Sequence, residues 1–143
     1  MNLTPESYAE ICKQTAFISA LVAGFSFAFL GALLVSSIKN KLIDWIMILS
    51  TLSIAGLLIC SLAWTLTASR MTLYSGADIA QVPQTFLSLH KTLSLIFVSS
   101  FFFFLVTLGL GGWIRSKTLG IISSSISFIA TIIFIVIMQK FVI

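Results

Sequence analysis

Residues 15–38 read TAFISALVAGFSFAFLGALLVSSI, an apolar stretch without a charged side chain. A stretch of roughly this length lets an α-helix cross a hydrocarbon core about 30 Å thick. Three comparable stretches follow at 45–69, 92–114 and 118–139, and none has an ionised side chain in its middle. The sequence therefore predicts an all-α integral membrane four-helix bundle, with residues 1–143 as a single transmembrane domain.

The overall composition excludes an ordinary soluble domain. Hydrophobic residues make up 59% of the chain and charged residues 8%, with a mean hydropathy of +1.15. Soluble domains carry about 25% charged residues. A soluble helical protein would also need polar faces repeating every 3.6 residues on its outer helices, and the four stretches lack them. The bilayer is thus the first expected partner.

The N-terminal segment predicts a helix start before the first span. Ser7 and Glu10 have the spacing of a capping box, and Thr4 and Pro5 precede them. We expect a short helix there that can run into the first span without a break. A signal peptide is not expected, because acidic residues precede the apolar run and that run is too long.

Charge does not orient the chain in the membrane. The positive-inside rule counts Lys and Arg in short segments that flank the spans. The first and third connections carry Lys39, Lys41, Arg115 and Lys117, and the opposite side carries Lys13, Arg70, Lys91 and Lys140. The two sides tie. We expect an integral membrane location, in a bacterial inner membrane or another plasma membrane.

Small residues recur at intervals of four along the first span. They are Ala16, Ala20, Gly24, Ala28 and Ala32, and Lys13 lies just before them. In lipid, close backbone approach across small residues is a main device of helix packing. One interpretation is ordinary packing within the chain. The other puts this helix at the centre of a symmetric oligomer, with its small residues meeting their copies or lining a narrow axis.

Polar side chains inside the other spans allow structural and functional interpretations. Ser123, Ser127 and Thr131 share one face of the fourth span. Such hydroxyls bond to a carbonyl of the preceding turn or of a neighbouring helix, and a polar pore lining is the alternative. The indole N–H of Trp64, in the second span, is expected to need a hydrogen-bond partner.

The sequence does not favour an enzyme. No Asp, Glu, Lys, Arg or His lies in the middle of a span, where relays, ion-coupled carriers and intramembrane hydrolases hold such groups. His90 lies beside Lys91 at the start of the third span and is expected to be an interfacial residue. Cys12 and Cys60 lack metal-type spacing and are expected to be free thiols. No catalytic residue, metal site, cofactor or nucleic-acid partner is predicted.

The first span resembles the first helix of Orai-type calcium channels. The resemblance rests on the basic entry from Lys13, the run Ser19-Ala20-Leu21 and the pair Gly24-Phe25, within about 25 residues. It implies a four-span subunit whose first helices surround a central pore. The family's acidic selectivity ring has no counterpart, because residues 28–35 contain no carboxylate. The resemblance therefore does not imply calcium selectivity.

Two functions follow as hypotheses. The first is an oligomeric membrane channel or pore subunit, with cations as candidate permeant ions, in which a homo-oligomer forms around Lys13 and the small residues of the first span. The alternative is a non-conducting membrane interaction protein, such as an immunity, defence or accessory subunit, that binds another membrane protein. A third option, a small carrier for an apolar or lipid substrate, would show as a lateral cavity between spans.

Overall fold

The protein is almost entirely helical. The computed structural model describes residues 4–35, 41–74 and 84–142, without the side chains of 84–88 and 137–142. Its helices are α1 (Pro5–Val35), α2 (Lys41–Met71), α3 (Gln84–Gly111) and α4 (Lys117–Val142), with single 3₁₀ turns at Thr72–Tyr74 and Gly112–Ile114. All four helices are long and apolar enough to cross a membrane. The connection between the second and third spans is described except for residues 75–83.

Helix α1 begins earlier than its apolar stretch, and its cap differs from the predicted one. The backbone N–H of Ser7 donates to Thr4 Oγ1 at 3.2 Å, and the N–H of Thr4 donates to Ser7 Oγ at 3.0 Å. Thr4 is thus the N-cap, with Pro5 at the first helical position. Glu10 instead lies 3.8 Å from Lys13 in an ion pair. The predicted unbroken run into the first span is confirmed.

Helices α1 and α2 pack against each other along a regular seam. The buried positions alternate in steps of three and four, an average repeat of about 3.5 residues that keeps one face towards the partner helix. On α1 they are Ala9, Cys12, Ala16, Ser19, Ala23 and Ser26. On α2 they are Ile43, Ile46, Ser50, Ser53, Leu57, Cys60, Trp64, Thr67 and Met71. We call this contact the α1–α2 seam, and its small α1 residues let the two backbones approach closely.

Helix α2 also approaches α3 closely. A Cβ added at Gly56 would overlap Ser100 Oγ and lie 3.0 Å from Ser100 Cβ. Just beside this point, Ser53 Oγ donates to the Ser100 carbonyl at 2.9 Å, and both residues are buried. One turn further, the Cys60 thiol donates to the Leu93 carbonyl at 3.6 Å. Absence of a side chain at Gly56 therefore sets the α2–α3 distance.

The hydroxyls of α4 bind the end of α3. Ser123 Oγ donates to the Gly109 carbonyl at 2.8 Å, and Ser124 Oγ reaches the same oxygen at 3.2 Å. The Trp113 indole N–H donates to Ser124 Oγ at 2.9 Å. Thr131 Oγ1 bonds back within α4 to the carbonyl of residue 127. In this protomer the predicted hydroxyl cluster is thus used for packing and for bonds within its own helix.

The helices follow one another in space as they do in sequence. The closest backbone approaches are α1 with α2, α2 with α3, and α3 with α4, whereas α1 and α3 meet through side chains, as where Val22 and Ala23 lie in a cluster that packs against Phe97. Only 6% of the apolar window of α4 is buried, against 33% for α2. Helix α2 is therefore central, and α1 and α4 lie at opposite edges of the protomer.

Basic residues mark the depth of the helices in a bilayer. Lys13 precedes the end of α1 by about 22 residues, and Lys91 precedes Arg115 by about 24 residues, or roughly 33–36 Å at 1.5 Å each. Both distances match a hydrocarbon core of about 30 Å. The part of α1 before Lys13 then projects beyond the hydrocarbon at one rim.

Candidate functional site

The small residues predicted as a pore or interface do not share one face of α1. Ala16 is buried in the α1–α2 seam, whereas Ala20, Gly24, Ala28 and Ala32 are exposed. The reason is geometric: a step of four residues advances about 400° around a helix, so the direction turns by about 160° from Ala16 to Ala32. The five small residues therefore do not line one continuous face, and of these five only Ala16 is buried within the chain.

The four exposed small residues, Ala20, Gly24, Ala28 and Ala32, form what we call the small row. A Cβ added at Gly24 would have no atom within 4 Å, so this position is open. Phe25 and Phe27 project on either side of Gly24 and are 61% and 66% exposed. Around Gly24 the row is thus a shallow furrow between two large aromatic side chains, which admits another helix there, and from Ala20 to Ala32 the row winds by about 120° around α1.

The small row is apolar, and on the described part of α1 the ionic groups lie before it. Lys13 and Glu10 form their 3.8 Å ion pair on the projecting part of α1, with about 58% and 59% of their side chains exposed. Lys13 is about 10 Å along the helix from Ala20. The predicted site residues thus divide into a buried alanine, an open apolar row and a basic group at the rim.

Four side chains form a polar and aromatic contact between three helices, which we call the rim cluster. It consists of Tyr8 and Cys12 of α1, Trp64 of α2 and His90 of α3. The Tyr8 hydroxyl and His90 Nδ1 are hydrogen-bonded at 2.7 Å. The Trp64 ring meets His90 edge to face, with ring centroids 4.8 Å apart. Tyr8, Cys12 and Trp64 belong to one buried cluster.

The geometry of the rim cluster favours a structural role. His90 is half-buried, and the contacts recorded for it are the hydrogen bond to Tyr8 and the two aromatic rings. Within the described part of the chain, no three His, Cys, Asp or Glu side chains come close enough to hold a metal ion. The cluster joins α1 to α2 and α3 beside Lys91, and the interfacial position predicted for His90 stays a prediction.

Sequence reasoning missed most of the rim cluster. The sequence signal that could have located part of the cluster is the spacing of buried positions in steps of three and four residues. Cys12 and Trp64 occupy such positions in the α1–α2 seam, and Tyr8 lies one turn before Cys12. The contact between Tyr8 and His90 spans 82 residues and has no local signal. The predicted partner of the Trp64 indole N–H is not found among the described residues, since that buried nitrogen has no acceptor there.

Cys12 and Cys60 are both free and fully buried, as predicted for thiols that pack as small apolar groups.

Comparisons with protein-family models, with curated proteins and with solved structures find no match for this chain.

Proposed function

We propose that this protein is a subunit of a small homo-oligomeric membrane channel, located in a plasma membrane such as a bacterial inner membrane. In the proposed assembly, α1 of each copy lies closest to the axis and α4 faces lipid. The observation that carries the proposal is the small row, which is exposed in the protomer and leaves the space around Gly24 empty.

Both edges of the protomer expose large apolar side chains, and the α1 edge also carries the small row. At the α4 edge these are large and branched or aromatic, such as Ile121, Phe128 and Ile132, each close to half exposed or more. Acyl chains fill the spaces around such groups readily. At the α1 edge the small row leaves a furrow, and in lipid a furrow of Ala and Gly favours the close approach of another helix. This asymmetry supports α1 inside and α4 outside.

The composition of the small row indicates the kind of passage it would form. Alanine and glycine give an apolar wall, and apolar constrictions in channels gate by losing and regaining water. One Lys13–Glu10 ion pair per copy would lie at the mouth. Cations remain the candidate permeant ions, and the reversal potential in a salt gradient tests this choice.

Two leucine substitutions at exposed positions test the association. Gly24→Leu fills the furrow, and its Cβ would have no atom within 4 Å in the protomer, so the monomer should still fold. Ala55→Leu adds a comparable side chain to an exposed position of α2 and serves as the control. We expect a discrete oligomer for the wild type and for Ala55→Leu, and monomers for Gly24→Leu, by native mass in detergent corrected for bound detergent and lipid.

Conductance in planar bilayers completes the test. Single-channel currents from the wild type and Ala55→Leu, with none from Gly24→Leu, are the expected result. A monomeric wild type, or an oligomer whose mass is unchanged by Gly24→Leu, would refute the arrangement around α1.

The apolar character of the small row also favours the second candidate, a non-conducting subunit that binds a different membrane protein. A partner helix with a complementary face would fill the furrow as well as a second copy does, and it would need no polar path. This function predicts a silent monomer that forms a stoichiometric complex with one specific membrane protein, and Gly24→Leu would then abolish that complex.

A further inference from the structure

Two grooves run along the outer side of α3. The first has a volume of about 450 Å³ and is lined by Lys91, Thr92, Leu95, Ile96, Ser99 and Ser100. The second, of about 280 Å³, lies between α3 and α4 and is lined by Ser99, Phe102, Phe103, Thr131 and Phe134, among others. Because Ser99 lines both grooves, they meet there. We call the combined groove from Lys91 to Phe103 the α3 track.

The length and position of the α3 track match one leaflet of a bilayer. From Lys91 to Phe103 is about 12 residues, or about 18 Å at 1.5 Å each. Half of a hydrocarbon core of about 30 Å is about 15 Å. Since Lys91 marks the rim of the hydrocarbon, the track begins at the level of the lipid headgroups and ends near the midplane. A single acyl chain in one leaflet likewise runs from the headgroups to the midplane.

The chemistry of the α3 track changes along its length. The ammonium group of Lys91 is exposed at its mouth. Beyond it the walls are mainly apolar, from Leu95 and Ile96 to the phenylalanine rings of the second groove. A charged end followed by open, mainly apolar grooves that together are about one leaflet long fits an amphiphile with a negative headgroup. The small side chain of Ser99 keeps the two grooves connected.

We propose that the α3 track binds one anionic phospholipid per protomer, with its headgroup phosphate at Lys91 and one acyl chain along α3 past Ser99 to Phe103. This site is on the α3–α4 side of the protomer and is independent of the association through α1. The basic residue sets the preference for a negative headgroup, and the groove sets the preference for a single ordered chain.

Native mass spectrometry of the protein in a mild detergent tests the site. The protein is titrated with phosphatidylglycerol or with phosphatidylcholine carrying the same acyl chains. We expect one tightly retained phosphatidylglycerol per protomer and about fivefold weaker retention of phosphatidylcholine, the factor that one basic residue near a membrane surface supplies. Lys91→Gln should bring the two lipids to equal retention, since it removes the charge and keeps the groove.

Two further variants separate the parts of the site. Ser99→Phe fills the point where the grooves meet, so it should displace both lipids while the protein keeps its native helicity. Lys117→Gln removes an exposed charge at the opposite rim and should leave the fivefold preference unchanged. Three outcomes would each overturn the proposal: equal retention of the two lipids by the wild type, a preference that survives Lys91→Gln, or a broad distribution of many lipids per protomer that Ser99→Phe does not change. A dimer that excludes lipid from the track would mean that a second copy occupies it.

Discussion

Replacing Gly56 by alanine gives a sharp test of how α2 meets α3. The added Cβ would overlap Ser100 Oγ and lie 3.0 Å from Ser100 Cβ, so rotating the Ser100 hydroxyl away would not remove the conflict. Overpacking of this kind costs about 1–3 kcal/mol. Gly→Ala also gains up to about 1 kcal/mol of helix propensity, which must be measured separately.

Gly31→Ala supplies that reference, because a Cβ at Gly31 has no atom within 4 Å. The propensity gain cancels in the comparison, so Gly56→Ala should be less stable than Gly31→Ala by about 1–3 kcal/mol. Titration of micelle-bound protein with a denaturing detergent, followed by tryptophan fluorescence, measures the difference. Equal stability of the two alanine variants would show that the α2–α3 distance is not set at this glycine.

A second substitution checks the cause of the effect. Ser100→Gly removes the two atoms in conflict with the new methyl group, so it should restore most of the stability lost in Gly56→Ala. The double-mutant cycle should then give a coupling energy of about 1–3 kcal/mol, within the range found for residues in contact. Strictly additive effects would refute the steric explanation even if Gly56→Ala alone is destabilising.

Three other tests probe separate features. Tyr8→Phe removes the 2.7 Å hydrogen bond to His90 and should lower the free energy of unfolding by about 0.6–1.7 kcal/mol, as measured for bonds between membrane helices. An unchanged free energy of unfolding would show that this hydrogen bond contributes nothing to stability. Ser26→Ala should leave the free energy of unfolding unchanged or raise it, because the buried hydroxyl has no partner among the described residues. Ser53→Ala loses a hydrogen bond to a carbonyl of α3 and should lower the free energy of unfolding. The reverse order would contradict the hydrogen-bond assignments. The thiol of Cys12 is fully buried, so a membrane-permeant maleimide should modify it much faster after denaturation than before, and equal rates by mass spectrometry would contradict the α1–α2 seam.

The sequence was sufficient to predict the number and type of the helices. Four apolar stretches separated by charged or polar connections leave the chain few alternatives, since every backbone polar group in lipid must bond within its own helix. The helix ends were less accurate. Helix α1 begins at Pro5, ten residues before its apolar stretch, because Thr4 caps it outside the hydrocarbon.

The candidate site was predicted only in part, for a reason of helix geometry. Intervals of four select residues that turn steadily around a helix, so Ala16 and Ala32 point in different directions. The alternation of three and four that forms the α1–α2 seam was present in the same segment, in Cys12, Ala16 and Ser19. The rim cluster depends on the spatial meeting of three helices, and single-sequence periodicity carries no information on such meetings.

The rim cluster holds one end of α1, a long continuous helix. Helix α1 is continuous for 31 residues, and Tyr8 lies about 40 Å from Val35 along its axis. If the hydrogen-bonded end is the fulcrum, a tilt of about 5° moves the far end by about 3–4 Å, about two-thirds of the pitch of a helical turn. Such a tilt would have to open the α1–α2 seam along its length, so the seam limits how far a change around His90 can displace Val35.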